Sequence, residues 1–286
     1  MNTFKQFFTT ALLASASLGA YAQSIDNEVF IEQVGATNQA DVEVGVSGGL
    51  TFAASAEDNL ADIYQEGESN VAYIGQGNLG SSANDNEAEI DQNGNGNNAE
   101  IEQGTDIGSA DKSVASIDQD GTINEADISQ GALGSSEEDE ATIGQTGIDN
   151  KAVISQGVDG SSETSTASIH QDGNANYGHI RQGVDGISVS NTAAISQTGD
   201  ANTATINQAF PGLADDNTAD IEQIGNENTA LIEQTGFASS SEMNTADILQ
   251  QGDLNQATVT QFGVGDLANI NQNGTANVAT VTMGAP

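Results

Sequence analysis

Residues 217–234 read NTADIEQIGNENTALIEQ, and this stretch decides the fold. Asn217, Ala219, Ile221 and Gln223 stand two apart, and Asn228, Ala230, Ile232 and Gln234 repeat the series eleven residues later. A step of two is strand periodicity, so these four residues share one face and the residues between them share the other. The intervening residues are mostly Thr, Asp and Glu, which suits a face turned to water. On a helix the same apolar positions would scatter around the axis. Gly225, between the halves, supplies the positive φ of a tight turn. The stretch is one strand–turn–strand unit.

Working outward, ten such copies begin at Asn27, Asn59, Asn86, Ser113, Asp139, Ser165, Asn191, Asn217, Asn244 and Asp266. The twenty half-copies place 17 Ile and 3 Val at the Ile slot, 18 Ala at the Ala slot and 18 Gln at the Gln slot. Val44 and Met283 are the two departures from Gln, and the turn glycine is kept in all ten copies, from Gly35 to Gly274. Few aromatics and 42 acidic residues would otherwise argue for disorder, but a pattern this strict overrides composition.

One copy cannot bury its apolar face alone, so the copies must stack. If the second strand folds back over the first, Ile221 faces Ala230 and Ala219 faces Ile232, large against small. Parallel stacking then makes columns of Ile, Ala, Asn and Gln, with the amides bonded up and down the stack. The expected fold is all-β, a β-solenoid of ten strand–turn–strand repeats in two parallel sheets with a cross-β spine, rising about 4.8 Å per rung. The longer connections, 77–85, 131–138 and 157–164, are rich in Gly, Ser, Asp and Glu and read as solvated loops on one edge. The longest, 45–58, reads as a loop bulge within one domain.

The first residues point to export. Lys5 precedes an apolar run over 7–18, and Ala20-Tyr21-Ala22 has the small-x-small form that places cleavage before Gln23. That run is too short to span a bilayer, so no membrane insertion is expected. The domain reading is a leader over 1–22, a short segment over 23–26, and one solenoid over 27–286. The formal charge is −38, and loss of Lys5 makes it one unit more negative. Such a surface repels nucleic acid and anionic membrane. There is no cysteine to build a disulfide framework or a thiolate metal site.

The residues offer little to catalysis, and no enzyme activity or cofactor is expected. His170 and His179, the only histidines, fall on opposite strands of copy six with the core between them. The glycine-rich stretches 77–82 and 93–98 lack the following helix of a phosphate loop. The outward carboxylates do align from rung to rung, Asp62 with Glu89, Asp91 with Asp118, Glu100 with Asp127 and Asp220 with Asp247. Oxygen pairs one rung apart make these weak Ca²⁺ candidates, set against a merely solvated and repulsive face.

The repeated N-x-A-x-I-x-Q-x-G-x-x-N-x-A-x-I-x-Q resembles the curlin repeat of curli fibre subunits, over residues 27–283. The resemblance implies a secreted subunit that polymerises at the bacterial cell surface into extracellular amyloid fibres of the biofilm matrix, with roles in adhesion and aggregation. The implied partners are further copies of itself, a nucleating or major curlin, a secretion pore and chaperones. The implied spine is formed by Ile63, Gln65, Ile90, Gln92, Ile117, Gln119, Ile143, Gln145, Ile169, Gln171, Ile195, Gln197, Ile221, Gln223, Ile248, Gln250, Ile270 and Gln272. Three features depart from the familiar pattern. There are ten repeats with long connections on one edge, the Gly/Asn-rich segment before the first repeat is missing, and the outward face is far more acidic. A monomeric acidic β-solenoid acting as a surface adhesin or binding module is the alternative. The repeat running to Met283, three residues before the end of the sequence, leaves no expected cap and favours polymerisation.

Overall fold

The computed structural model describes residues 5–6, 23–45, 55–78, 81–106, 108–209, 212–235 and 241–284. The expected leader, apart from Lys5–Gln6, and most of the 45–58 connection lie outside these residues.

Each copy forms a rung, and rung 8 is representative. Thr218–Ile224 carries the first half and Thr229–Gln234 the second, with burial alternating residue by residue along both. First halves stack on first halves in one parallel sheet, and second halves on second halves in another. Ten rungs are present, from Glu28–Ala36 and Gln39–Val44 to Leu267–Asn273 and Val278–Met283. The register joins like slots throughout: Ala219 pairs with Ala246, Ile221 with Ile248 and Gln223 with Gln250. On the outer side of the first rung, Lys5–Gln6 pairs antiparallel with Ile31 and Glu32.

Between the two sheets runs one continuous core of Ile and Ala from Ala61 to Ile270. Its large-against-small packing shows at Gly178, which occupies an Ala slot. A methyl group built there would lie 2.9 Å from Cγ2 of Ile169 on the facing strand.

The turn glycine has a second cause besides its positive φ. At Gly121 (φ +141°) a side chain would strike the carbonyl oxygen of Gly147 in the next rung. Stacking at strand spacing leaves no room for Cβ in that column. Two residues further on, the position before the second Asn is left-handed in all ten turns, although it is Gly only once, at Gly96.

The expectation of two sheets and a solvated edge needs correction, because the long connections build a third parallel sheet. It has nine strands of two or three residues, among them Ser82–Asn84, Ser109–Asp111, Ser135–Glu137, Ser161–Glu163 and Leu213–Asp215. Gln23–Ile25, in the short segment before the first repeat, is its first strand. The cause is a small residue three places before the first Asn slot. Ala56, Ala83, Ala110, Ser136, Ser162, Ser188, Ala214 and Ser241 all occupy it and all are buried. A left-handed residue such as Asp58, Asp85 or Asp216 then turns the chain into the arch. The third sheet stops short of rung 10, where only an isolated bridge from Glu242 to Val264 remains.

Candidate functional site: the stacking ladders and the end rungs

The first-half glutamines form an unbroken amide ladder. Gln33 Nε2 donates to Gln65 Oε1 at 2.7 Å, Gln65 to Gln92 at 2.8 Å, and the relay continues to Gln250 and Gln272 at 2.9 Å. From Gln65 onward each amide also donates to a backbone carbonyl of the facing strand, as Gln92 does to Val71 O at 3.0 Å. Each buried side chain is thereby satisfied without water, which makes burial of so many amides affordable.

A second ladder runs through the turn asparagines. Asn202 Oδ1 accepts from the backbone N–H of Asn228 at 3.0 Å, and Asn202 Nδ2 donates to Gly225 O at 2.7 Å. The same pair of bonds links Asn70 to Asn97 and Gly94. Asn is the side chain that accepts from one backbone group and donates to another at this reach, and it fills this slot in all ten copies. Because the glutamine ladder always donates from one rung to the next in the same sense, the stack has a chemical direction.

The spine residues implied by the resemblance all lie in this interior. Ile63, Ile90, Ile117, Ile143, Ile169, Ile195, Ile221, Ile248 and Ile270 are at most 5% exposed, and so are the glutamines two places after them.

At the two ends the columns lie open, apart from the short Lys5–Gln6 pairing on rung 1. Val29, Ile31, Ala40 and Val42 of rung 1, and Ala279, Val281 and Met283 of rung 10, are only partly buried, although they occupy the slots that are sealed elsewhere. Gly274, the last turn glycine, meets nothing closer than Asn277 Nδ2 at 3.5 Å, whereas its nine counterparts press on a carbonyl. Among the described residues no strand covers the outer side of rung 10.

The outward face is electrostatically uneven. Asp62, Asp91 and Asp220 have pKa values raised by burial and then by nearby carboxylates, chiefly Glu32, Asp118 and Asp247 respectively. Burial, reinforced by Glu100, pushes Glu102 up to about 7 and Asp127 up to about 6. His179 is half-buried, and burial and Arg181 lower its pKa to about 4. Its Nδ1 lies 3.4 Å from the Tyr177 hydroxyl, and its Nε2 accepts from Arg181 Nε at 3.2 Å. The exposed His170 stands on the opposite sheet.

The carboxylate pairs named above as weak Ca²⁺ candidates lie along these rows. The register does set Asp62 beside Glu89, Asp91 beside Asp118, Glu100 beside Asp127 and Asp220 beside Asp247. Each pair stands alone in its row, however. Glu89 is exposed, and its neighbour on the other side is Ser116, while Phe30 stands beyond Asp62. Tyr64 and Gly144 bound Asp91 and Asp118 in the same way, and Tyr73 and Val153 bound Glu100 and Asp127. Ala194 and Asn269 bound Asp220 and Asp247. Two side chains fall well short of the six to eight oxygens that Ca²⁺ takes, roughly. No group of three or more acidic, His or Cys side chains among the described residues is arranged to hold a metal ion.

Slot inspection missed one buried carboxylate. Asp139 replaces Asn at the first slot of rung 5 and is 1% exposed. Its carboxylate accepts from Ser136 Oγ at 2.6 Å, Ser162 Oγ at 3.1 Å and the Ser165 N–H at 2.8 Å. Burial nevertheless holds its pKa at about 6. The hydroxyl-bearing neighbours coincide with this acid: the third-sheet slot is Ser in rungs 5, 6 and 7 and Ala in rungs 2, 3 and 4.

The curlin associated repeat family matches residues 56–84, 83–111, 214–243 and 244–266. No curated protein matches the chain. With its slots, ladders and register carried through ten rungs, the chain carries repeats of the curlin-associated kind.

Proposed function

We propose that this chain is an exported structural subunit that polymerises outside a bacterial cell into curli-type amyloid fibres of a biofilm matrix. In this reading residues 1–22 are a leader removed before Gln23, and the remainder is one solenoid. Removal of the leader takes away Lys5–Gln6 and frees the outer edge of rung 1. The observation that carries the proposal is the pair of open ends. Both outer rungs present strand edges and half-covered apolar columns, and the ladder direction makes the far edge of rung 10 complementary to the near edge of rung 1. An open edge of this kind is a template for another copy. The other partners in this reading are a nucleating or major curlin, a secretion pore and chaperones. The role is one of material rather than catalysis.

The test is dye binding, electron microscopy and fibre diffraction on the purified chain from Gln23 onward. Unbranched fibres with a meridional spacing of about 4.8 Å are expected. A chain that stays monomeric at high concentration and high salt would contradict the proposal and favour a monomeric surface adhesin.

A further inference from the structure

The second-half glutamine ladder differs from the first at both ends. It runs unbroken from Gln76 to Gln261, from Gln76 Nε2 to Gln103 Oε1 at 2.9 Å through to Gln234 Nε2 to Gln261 Oε1 at 2.9 Å. The end slots hold Val44 in rung 1 and Met283 in rung 10. The cost of a mismatch is visible inside the chain: Val44 offers no donor, and Gln76 Oε1 is buried without a hydrogen-bond partner. If rung 10 of one copy met rung 1 of another, Met283 would face Val44 and no amide would be orphaned. On the first-half side Gln272 would face Gln33, and that amide ladder would run on.

The outward rows match as well. Rung 1 is acidic at Glu28, Glu32, Asp41 and Glu43. Rung 10 has Leu267, Asn271, Thr280 and Thr282 at the corresponding slots, none of them charged. Its Asn269 already donates to a carboxylate below, Asp247 Oδ2, at 2.9 Å. Placing rung 1 against rung 1 would instead bring together its own four carboxylates, and rung 10 against rung 10 would oppose the donor ends of two glutamine ladders.

We propose that, where rung 10 of one copy meets rung 1 of the next, the Met283–Val44 contact and the uncharged rung 10 are what select this pair of ends over the others. The joint rests on the fibre reading above and adds to it the register, the polarity and the residues that discriminate. The selected partner is a second copy of this chain. A chain with glutamine in place of Val44 would bury an unpaired amide oxygen against Met283, as Gln76 does against Val44.

The variants V44Q, M283Q and V44Q/M283Q test the joint. Within one chain, V44Q supplies the donor that Gln76 Oε1 lacks, so its unfolding midpoint should equal or exceed that of the original chain. In seeded growth of each variant on its own fibres, V44Q should elongate roughly tenfold more slowly, since its buried amide oxygen is unpaired at the joint, whereas M283Q, whose N–H groups can reach backbone carbonyls as those of Gln261 do beside Met283, should stay near the original rate. The double variant should recover to near the original rate, because the two introduced amides then complete the ladder across the joint. A folding-independent arm uses E43C/T282C in this cysteine-free chain. A short bis-maleimide linker should convert its fibres into a covalent ladder of multimers on a denaturing gel. A V44Q chain that grows at the original rate, a double variant no faster than V44Q, or fibres that do not cross-link would each overturn the joint while leaving the fibre reading intact. If the original chain forms no fibres, the fibre reading falls and the joint falls with it.

Discussion

Rungs 2 to 5 and rungs 9 and 10 share one template and one register but carry very different outward faces. Residues 59–103 hold nine acidic side chains, while 244–286 hold three. In the early rungs carboxylate stacks on carboxylate, as in Glu100 beside Asp127, and the pKa values of Glu102 and Asp127 rise to about 7 and 6. In the last rungs Asp247 receives a hydrogen bond from Asn269, and the outward rows around it are mostly Thr, Asn and Val. The inward columns follow one pattern in both regions, with Val259, Val281 and Met283 the only apolar replacements at the Ile and Gln slots of the last rungs. The difference teaches that the inward slots specify the fold, while the outward slots set how strongly rungs repel and therefore the conditions under which they stack.

The largest effect should be indifferent to region. Ile117→Asp in rung 4 and Ile248→Asp in rung 9 each bury a charge between the sheets and should each destabilise by several kcal/mol, of order 3 or more. Ser196→Asp, on an outward slot, should cost under about 1 kcal/mol. Denaturant unfolding checks all three. Equal effects of Ile248→Asp and Ser196→Asp would break the inward–outward assignment.

Next in size is Asp139, where the early rungs hold a buried acid in a slot that is Asn in six other copies. Its folded pKa of about 6 lies above an unfolded value near 3.8, so the folded state binds the proton more tightly. Stability from this site is therefore fully present below about pH 4 and is lost as pH rises through 6. Asp139→Asn keeps the acceptor for the Ser165 N–H and removes the charge. It should stabilise by about 2–3 kcal/mol at pH 8 and by nearly nothing at pH 4, measured by unfolding at both values.

A smaller effect belongs to the exposed rows. Glu102 and Asp127 also have raised folded pKa values, so lowering pH from 8 toward 5 should stabilise rungs 2 to 5. Half-solvated carboxylates are screened, and about 1 kcal/mol or less is expected from each. Salt should act in the same direction, because the Debye length falls from about 10 Å at 0.1 M to about 3 Å at 1 M. Assembly lag should shorten over that range, and Glu100→Gln, Glu102→Gln and Asp127→Asn together should remove much of the salt dependence. A lag independent of salt would show that repulsion between these rows does not control assembly.

The two main sheets were legible because each slot has one chemical demand. Ile must fill a thin interior, Gly must clear the next rung's carbonyl, and Asn must accept and donate to two backbone groups at once. The third sheet was not legible in the same way. Three residues are too few to show a period, and a setting rich in Gly, Ser and Asp reads as loop. Its signal was nevertheless present, as a small residue three places before each first Asn slot. Asp139 was harder, since its serine partners Ser136 and Ser162 stand beside it only once the third sheet exists. The alignment of Asp62 with Glu89 was readable from spacing, but a pair of carboxylates in register is not yet a ligand set. Left-handed backbone at Ile123, Ala175 and Leu254 carries no side-chain signature, because stacking at each turn imposes it.

Site-resolved hydrogen exchange before and after assembly tests the central claim most directly, that the open rungs are where copies join. In the single chain, rungs 4 to 7 have a neighbour on both sides and should be strongly protected, while the outward-facing amides of rungs 1 and 10 exchange quickly. On assembly, the amides of 28–44 and 267–283 should slow to the level of the middle rungs. Fibres in which those two segments still exchange as fast as in the single chain would contradict the account.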